Sequence, residues 1–338
     1  MGDVALTTPA IRGVLQDNPD LEITMVTPRF FAPFFYDIPR LTLFHPDFKR
    51  EHKGVKGLYK LYKKFSSEQS FDAIIDLHDV LRSRILSSFF KLKSKPIYRI
   101  DKDRDQKKKI ISGKLNKVLK PSWQRYADVF YKTGLEFTPS DLPCIHPSDE
   151  AMDEVNKYVT SFSVGHDDVW IGIAPFAKHD LKMWSLDSMR SLIAKICSNH
   201  KATIFLFGGG EKEKQALDKL SMGFDKVFNL AGKLDFKNEL ALIHKLDFMM
   251  SMDSANMHIA SLLGTKTVSI WCATHPMVGF SAYKQPESYI IEVSRTDLPC
   301  RPCTVYGKGS CKRGDLACRY SISHDDVYKR LIELKMLV

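Results

Sequence analysis

Three groups of residues in this chain have types and spacing suited to holding an anion. The first is Ala174-Pro-Phe-Ala-Lys-His-Asp-Leu-Lys-Met-Trp184, where Lys178, His179 and Lys182 put positive charge on a loop between an apolar run and a helical stretch. An ammonium there acts as a point charge on a phosphate. The plainer alternative is a solvated basic loop, with Trp184 packing the start of the next helix. The second group is Phe207-Gly-Gly-Gly-Glu-Lys-Glu213. Gly208 and Gly209 let backbone approach a ligand closely, but the run is neither a G-x-G-x-x-G nor a P-loop fingerprint. It is equally a tight strand-to-helix turn. Glu211 or Glu213 could accept from ribose hydroxyls, or serve as first-turn acids suited to a helix dipole. The third group is Ser251-Met-Asp-Ser-Ala-Asn-Met-His258. Ser254 is a good N-cap, and small residues at Ser254 and Ala255 leave first-turn amides open. Open amides and the helix dipole together suit a pyrophosphate. His258 could donate to a phosphate oxygen or be a core histidine. Asp253, itself an anion, suits sugar hydroxyls beside the phosphates, or a capping role.

These residues need strand ends to position them. Short apolar runs at 21–26, 71–77 and 96–100 read as strands in the first half, with helical stretches at 9–16, 54–65 and 80–90. The second half is sharper. Its strands are expected at 169–174, 202–207, 226–229, 247–251 and 267–271, and its helices at 186–198, 211–222, 237–245 and 254–263. Strands alternating with helices of this length argue for parallel sheets covered on both faces. Residues 101–120 are charge-rich, 121–137 read as a helix, and 138–150 carry Pro139, Pro143 and Pro147 as a linker. The expectation is two Rossmann-like halves, ligands at the carboxyl ends of their strands, and a cleft between them.

Composition bounds the rest. The 338 residues are 44% hydrophobic and 27% charged, with 50 Lys plus Arg against 40 Asp plus Glu. That excludes collagen-like, low-complexity and wholly disordered chains. The formal charge of +10 favours anionic partners without choosing among them. No apolar run reaches the ~18 residues of a spanning helix. The start lacks a secretion signal, and Leu6 breaks the myristoylation pattern. With seven cysteines, a reducing cytoplasm is the default.

Four segments in order resemble glycosyltransferase family 9, the lipopolysaccharide heptosyltransferases of GT-B fold. Gly2-Asp-Val-Ala-Leu-Thr-Thr-Pro9 is similar to the family's G-D loop, and 71–84 (FDAIIDLHDVLRSR) to its D-x-x-I-D-L strand. Lys182-Met-Trp184 resembles K-x-W, and Asp253-Ser-Ala-Asn-Met-His258 resembles D-[ST]-[GA]-x-x-H. The resemblance implies inverting transfer of a sugar, heptose from ADP-heptose, to a hydroxyl of a lipid-linked inner-core glycan. No cofactor is essential, and the nucleotide sugar is a substrate. Asp3 is then the general base. Lys178, Lys182 and the helix opening at Ser254 hold the pyrophosphate with His258. Asp253 holds heptose hydroxyls, the Leu234 backbone reads adenine, and Glu211 or Glu213 holds ribose. The domains implied are an acceptor half at 1–150, a donor half at 151–322, and a last helix at 323–338 packing back on the first half, or else closing the second. Family members have a strand ahead of the G-D loop. Here Met1-Gly2-Asp3 opens the chain, so a first sheet lacking that strand is expected, with reduced stability and activity. Other GT-B enzymes, such as a UDP-sugar transferase or epimerase, and an inactive nucleotide-binding remnant are the competing readings.

Lys49–Lys64 holds six lysines and one arginine interleaved with Leu58, Tyr59, Leu61 and Tyr62. It could touch an anionic membrane face, receive acidic acceptor sugars, or be a solvated helix face. Arg82 and Arg84 follow a strand and suit the acceptor. The picture is a cytoplasmic enzyme in transient contact with the inner membrane, without nucleic acid as a partner, since no binding motif accompanies the charge. Cys300-x-x-Cys303 has half the spacing of a zinc site. Cys311 and Cys318 are too far apart for a common finger, so reduced thiols or a disulfide compete with structural zinc. Lys308, Lys312 and Arg313 could help recruit an anionic acceptor.

Overall fold

The computed structural model describes every residue except Ser163, His166 and Val338. The residues divide into two units. The first holds Met1, Asp3–Arg104 and Lys120–His146; the second holds Gly2, Asp105–Leu119 and Pro147–Val338.

The first unit opens with α1 (Gly2–Ala5) and α2 (Thr8–Asp17), then β1 (Ile23–Val26), β2 (Leu41–Phe44), α3 (Gly54–Glu68), β3 (Ile74–Asp76), α4 (Leu81–Lys91) and β4 (Ile97–Arg99). Its strands form two separate parallel pairs, β1 with β2 and β3 with β4, in place of one continuous sheet. Leu61, Tyr62 and Phe65 of α3 pack with Phe90 of α4 over these pairs. The charge-rich stretch divides between the units. It forms α5 (Arg104–Ile111), and 105–119 falls with the second unit, although its sequence position suggests the first. The cause is apolar: Ile110 and Leu119 pack with Met277 and Val278, and the Leu119 amide donates to the Met277 carbonyl at 2.8 Å. The first unit then resumes with α6 (Ser122–Tyr131).

The second unit continues with α7 (Asp149–Val159), β5 (Val169–Ala174), α8 (Leu186–Asn199), β6 (Ala202–Leu206), α9 (Glu211–Ser221), β7 (Val227–Asn229) and α10 (Phe236–Lys245). It ends with β8 (Phe248–Met252), α11 (Ala255–Leu262), β9 (Lys266–Trp271), β10 (Ile290–Glu292), α12 (Ala317–Tyr320) and α13 (His324–Glu333). One parallel sheet runs in the order β10-β9-β8-β5-β6-β7. Polar caps start its helices: Ser148, Ser185, Asp235 and Ser323 each accept a first-turn amide. Gly172 is closely packed: a Cβ there would lie 2.4 Å from Leu246 Cδ1, which would have to shift. The last helix was expected against the first half. Its buried Val327 and Leu331 instead join the core of the second unit, beside Ile193 and Ile196 of α8. Its apolar face matches the core beside it, which is the reason it closes the second unit.

Glu239 lies in the first turn of α10. Burial, with the Asp235 carboxylate next in effect, pushes its carboxyl up to about 7. Burial thus outweighs the helix dipole, which favours the anion. The native state therefore holds a proton that the unfolded chain releases near the ordinary Glu value. The stability this confers is complete below about pH 4.5 and is lost as pH rises through about 7. Glu239→Gln should abolish that decline and be more stable than the parent at pH 8, by on the order of 3 kcal/mol. Thermal melts from pH 4.5 to 8 check this; parallel profiles for the two proteins would refute it.

Candidate active site

In the second unit the chain runs outward from β5 to β6 and β7, then returns to lay β8 against the other side of β5. Such a reversal opens a crevice at the strand carboxyl ends, the usual ligand position in these sheets. Ala174 pairs with Ser251 in register, so the loops after β5 and β8 emerge side by side. They deliver Lys182 and Asp253. Lys182 closes a 3-10 turn, Asp180–Lys182, and its Nζ lies 2.7 Å from Asp253 Oδ2. Both are shielded, at 14% and 4% side-chain exposure.

A buried carboxylate needs hydrogen bonds as well as a counter-charge. Thr274 supplies one, its Oγ1 donating to Asp253 Oδ2 at 2.8 Å. Thr274 follows β9 and is held by Arg301, whose guanidinium is buried. Arg301 Nη2 donates to the carbonyls of Trp271 at 3.0 Å and Thr274 at 2.9 Å, and to Glu292 Oε2 at 3.0 Å. Its Nε reaches the Cys272 carbonyl and its Nη1 the Val293 carbonyl. A chain of polar contacts thus runs from Arg301 through Thr274 and Asp253 to Lys182.

Ser254 takes the N-cap position of α11, but its hydroxyl pairs with Ser251 Oγ at 3.1 Å and makes no cap bond. The expected side-chain cap is therefore absent, and the helix presents its first-turn amides without it. Ala255 is half-buried at this end, and His258 is buried one turn on. Burial, then the charges of Lys308, Lys178 and Lys182, hold His179 below its usual range, so it is neutral at pH 7. Lys308 therefore belongs to the lysine group beside the crevice; its sequence position suggested an acceptor role. Gly307, at φ +78, lies over the Lys182 stem, where a Cβ would come 2.7 Å from Lys182 Cγ.

The glycine run is a tight turn. Gly210 has φ +79, and a Cβ on Gly208 would meet Leu217 Cδ1 at 3.0 Å. Glu213 turns back to accept the Gly209 amide at 2.8 Å, which fixes the loop and occupies that carboxylate. Glu211 Oε1 accepts from Gln215 at 3.2 Å and is exposed. Leu234 is half-buried just before α10.

In the first unit, Asp3 lies in the one-turn helix α1 and is exposed. It is within electrostatic range of His78 and Tyr126. Burial and the Lys102 charge lower the His78 pKa, while Asp3 opposes them. Arg82 lies over the Phe48 ring at 4.1 Å. Arg84 is already engaged, with Nε 2.6 Å from Asp79 Oδ1. Arg104 pairs with the same carboxylate at 3.0 Å. The Arg84 hydrogen bond and charge hold the Asp79 carboxyl below its usual range.

Cys300, Cys303, Cys311 and Cys318 line one small pocket, together with Leu181, Ala273 and Leu298. Backbone amides of Leu316, Arg313 and Gly314 lower the Cys311 pKa, and burial raises that of Cys303. Among the described residues no group of three or more His, Cys, Asp or Glu is arranged to hold a metal. Thr274, Arg301 and Gly307 carried no signal in the sequence. Their roles come from loops that meet only once β9 and β10 are in place.

The sequence model of glycosyltransferase family 9 (heptosyltransferase) matches residues 58–309. The chain is 23% identical over 289 residues to the lipopolysaccharide core heptosyltransferase OpsX of Haemophilus influenzae, covering 82% of this chain and 78% of that one. It superposes with a TM-score of 0.77 on the glycosyltransferase family 9 crystal structure from Veillonella parvula, at 17% identity, covering 98% and 94% of the two chains. The TM-score is 0.66 against E. coli heptosyltransferase WaaC with ADP-2-deoxy-2-fluoro heptose, at 16% identity, covering 99% and 96%.

The Lys182–Asp253 pair makes a directional prediction about bare anions. Asp253→Asn releases the ammonium from its partner and removes a competing negative charge. Inorganic pyrophosphate should then bind roughly tenfold more tightly, about 1.4 kcal/mol. Lys182→Met should weaken it at least as much. Calorimetry reads both, and equal affinities for wild type and Asp253→Asn would remove Lys182 from the anion site. Arg301→Met leaves Glu292 and several carbonyls without their donor and should cost about 3–5 kcal/mol in urea unfolding.

Proposed function

The chain belongs to glycosyltransferase family 9, and from that premise we propose that it transfers heptose from ADP-heptose to a hydroxyl of a lipid-linked lipopolysaccharide core glycan. The enzyme is a glycosyltransferase with the GT-B fold, built from parallel α/β units. The observation that carries the reading is the Lys182–Asp253 pair at the head of α11, where β5 and β8 diverge. Relatives named as lipopolysaccharide heptosyltransferases support the sugar and the acceptor. A heptosyltransferase of the same fold holding an ADP-heptose analogue supports the donor.

The chemistry is a single displacement. The acceptor oxygen bonds to the anomeric carbon as the bond from that carbon to the pyrophosphate oxygen breaks, which inverts the centre. The acceptor proton passes to Asp3, whose exposed position in α1 leaves it open to a hydroxyl. ADP departs with the charge that built up on its outer phosphate. Lys182, held by Asp253, opposes that charge, with Lys178 and Lys308 nearby and the first-turn amides of α11 adding to it. Because negative charge grows toward the transition state, these groups stabilise it more than the bound substrate. When the phosphates draw Lys182 away, Asp253 keeps its bond from Thr274 and can accept heptose hydroxyls. Glu211 serves the ribose and the Leu234 backbone the adenine. Glu213 is assigned to the loop, since its carboxylate already holds the Gly209 amide. Arg82 serves the acceptor together with the neutral His78. The site of action is the cytoplasmic face of the inner membrane.

ADP release with ADP-heptose and a deacylated core acceptor tests the reaction. Asp3→Asn should lower kcat by roughly 10²–10⁴-fold with little change in donor KM. Thr274→Val should raise donor KM several-fold, with Thr274→Ser restoring it, because only the hydroxyl is at issue. UDP-sugars turned over as well as ADP-heptose would refute the donor assignment.

A further inference from the structure

The outward face of α3 and α4 plays no part in the proposed transfer. On α3, Leu58, Leu61, Tyr62 and Phe65 are buried. Helical spacing then turns Val55, Lys56, Tyr59, Lys60 and Lys63 outward, and all are exposed. The Tyr59 ring lies 5.4 Å from Phe89 and 5.9 Å from Tyr62, so this edge of α3 runs directly onto α4. Leu92, three residues beyond Phe89 and on the same helical side, is 83% exposed; Val55 is 58% and Tyr59 45% exposed. The charge is one-sided. Residues 53–68 carry five lysines against Glu68 alone, and residues 81–95 carry five cations and no carboxylate.

Cations alone would suffice for a soluble polyanion. Here large apolar side chains stand exposed among the lysines, which costs free energy in water, and a surface that sets hydrocarbon beside anionic groups matches both features at once. We propose that the α3–α4 face docks on a bilayer rich in anionic phospholipid, with Val55, Tyr59 and Leu92 entering the headgroup layer and the lysines meeting lipid phosphates. The proposal deepens the reading above, whose acceptor is lipid-linked. Binding is measured without donor or acceptor, so either can fail alone.

The test is co-sedimentation of the full chain with phosphatidylcholine vesicles, with and without phosphatidylglycerol. Each lysine near such a surface contributes about fivefold in partitioning. Lys56→Glu/Lys60→Glu/Lys63→Glu should therefore lower partitioning about a hundredfold or more. Lys201→Glu/Lys219→Glu/Lys329→Glu, the same charge change at exposed positions of the second unit, should stay within about twofold of wild type. Tyr59→Ser/Leu92→Ser should lose several-fold, and that loss should persist at high salt. Circular dichroism and thermal melts confirm that each variant is folded; for an unfolded variant, Lys56→Gln/Lys60→Gln takes its place, with a loss of about twenty-five-fold expected. Equal losses from the two triple variants overturn the proposal, as does equal binding to vesicles lacking phosphatidylglycerol. Unchanged binding by the Tyr59/Leu92 variant, with short RNA competing fully, would assign the face to a polyanion and likewise overturn it.

Discussion

The second unit turns on one ion pair. Asp253 is buried, so its charge is tolerable only with a cation beside it and a hydroxyl donating to it. Satisfying that demand fixes three loops. Lys182 comes from the loop after β5, Thr274 from the loop after β9, and Arg301 holds Thr274 through its carbonyl at the ends of β9 and β10. The Ala273 amide bonds to the Leu181 carbonyl, tying the first of these loops to the second. The same arrangement leaves Lys182 in a contested position. Under the proposed function, an incoming diphosphate would compete with Asp253 for one ammonium. An ammonium held this way is preorganised and still available.

Charge is distributed differently in the first unit. Asp79 collects Arg84 and Arg104, with Arg99 nearby, and Asp76 collects Arg99. Arg84, one of the two arginines read from the sequence as acceptor ligands, therefore joins Arg99 and Arg104 in holding the end of β3 together. What remains outward-facing is lysine-rich and lies on α3 and α4. The excess of +10 is thus unevenly spread: part is neutralised locally, part surrounds the crevice of the second unit, and part coats one helical face.

Much of this was legible in the residue pattern. Val169–Ala174 reads as a strand because its run is continuously apolar, and the sheet buries it. The α11 site is readable because a strand end, small residues and a helix start follow in five positions. Other features had no local signature. β2 is four residues long with prolines near both ends, and β10 only three, too short for any period to emerge. Arg301 looks like a surface residue beside a proline, and only the tertiary loops show that its buried guanidinium gathers the carbonyls at the ends of β9 and β10. Glu213 was readable as either a ribose ligand or a turn residue, and its Oε2 accepts the Gly209 amide within the turn. The placement of α13 was likewise open, since an amphipathic pattern states that a face is buried without naming what buries it.

The order of strands in the second sheet has a consequence for descent. The stretch from β6 to α10 is an excursion: the chain leaves the edge of β5, builds two of the six strands, and comes back to β5's other flank. Residues added or deleted within its connecting loops change neither the neighbouring of β5 and β8 nor the meeting of Lys182 with Asp253. Glu211 and Leu234 ride on that excursion, whereas the phosphate-gripping groups do not. Under the proposed assignment, base recognition would be free to diverge among descendants of this architecture while the Lys182–Asp253 pair stays in place.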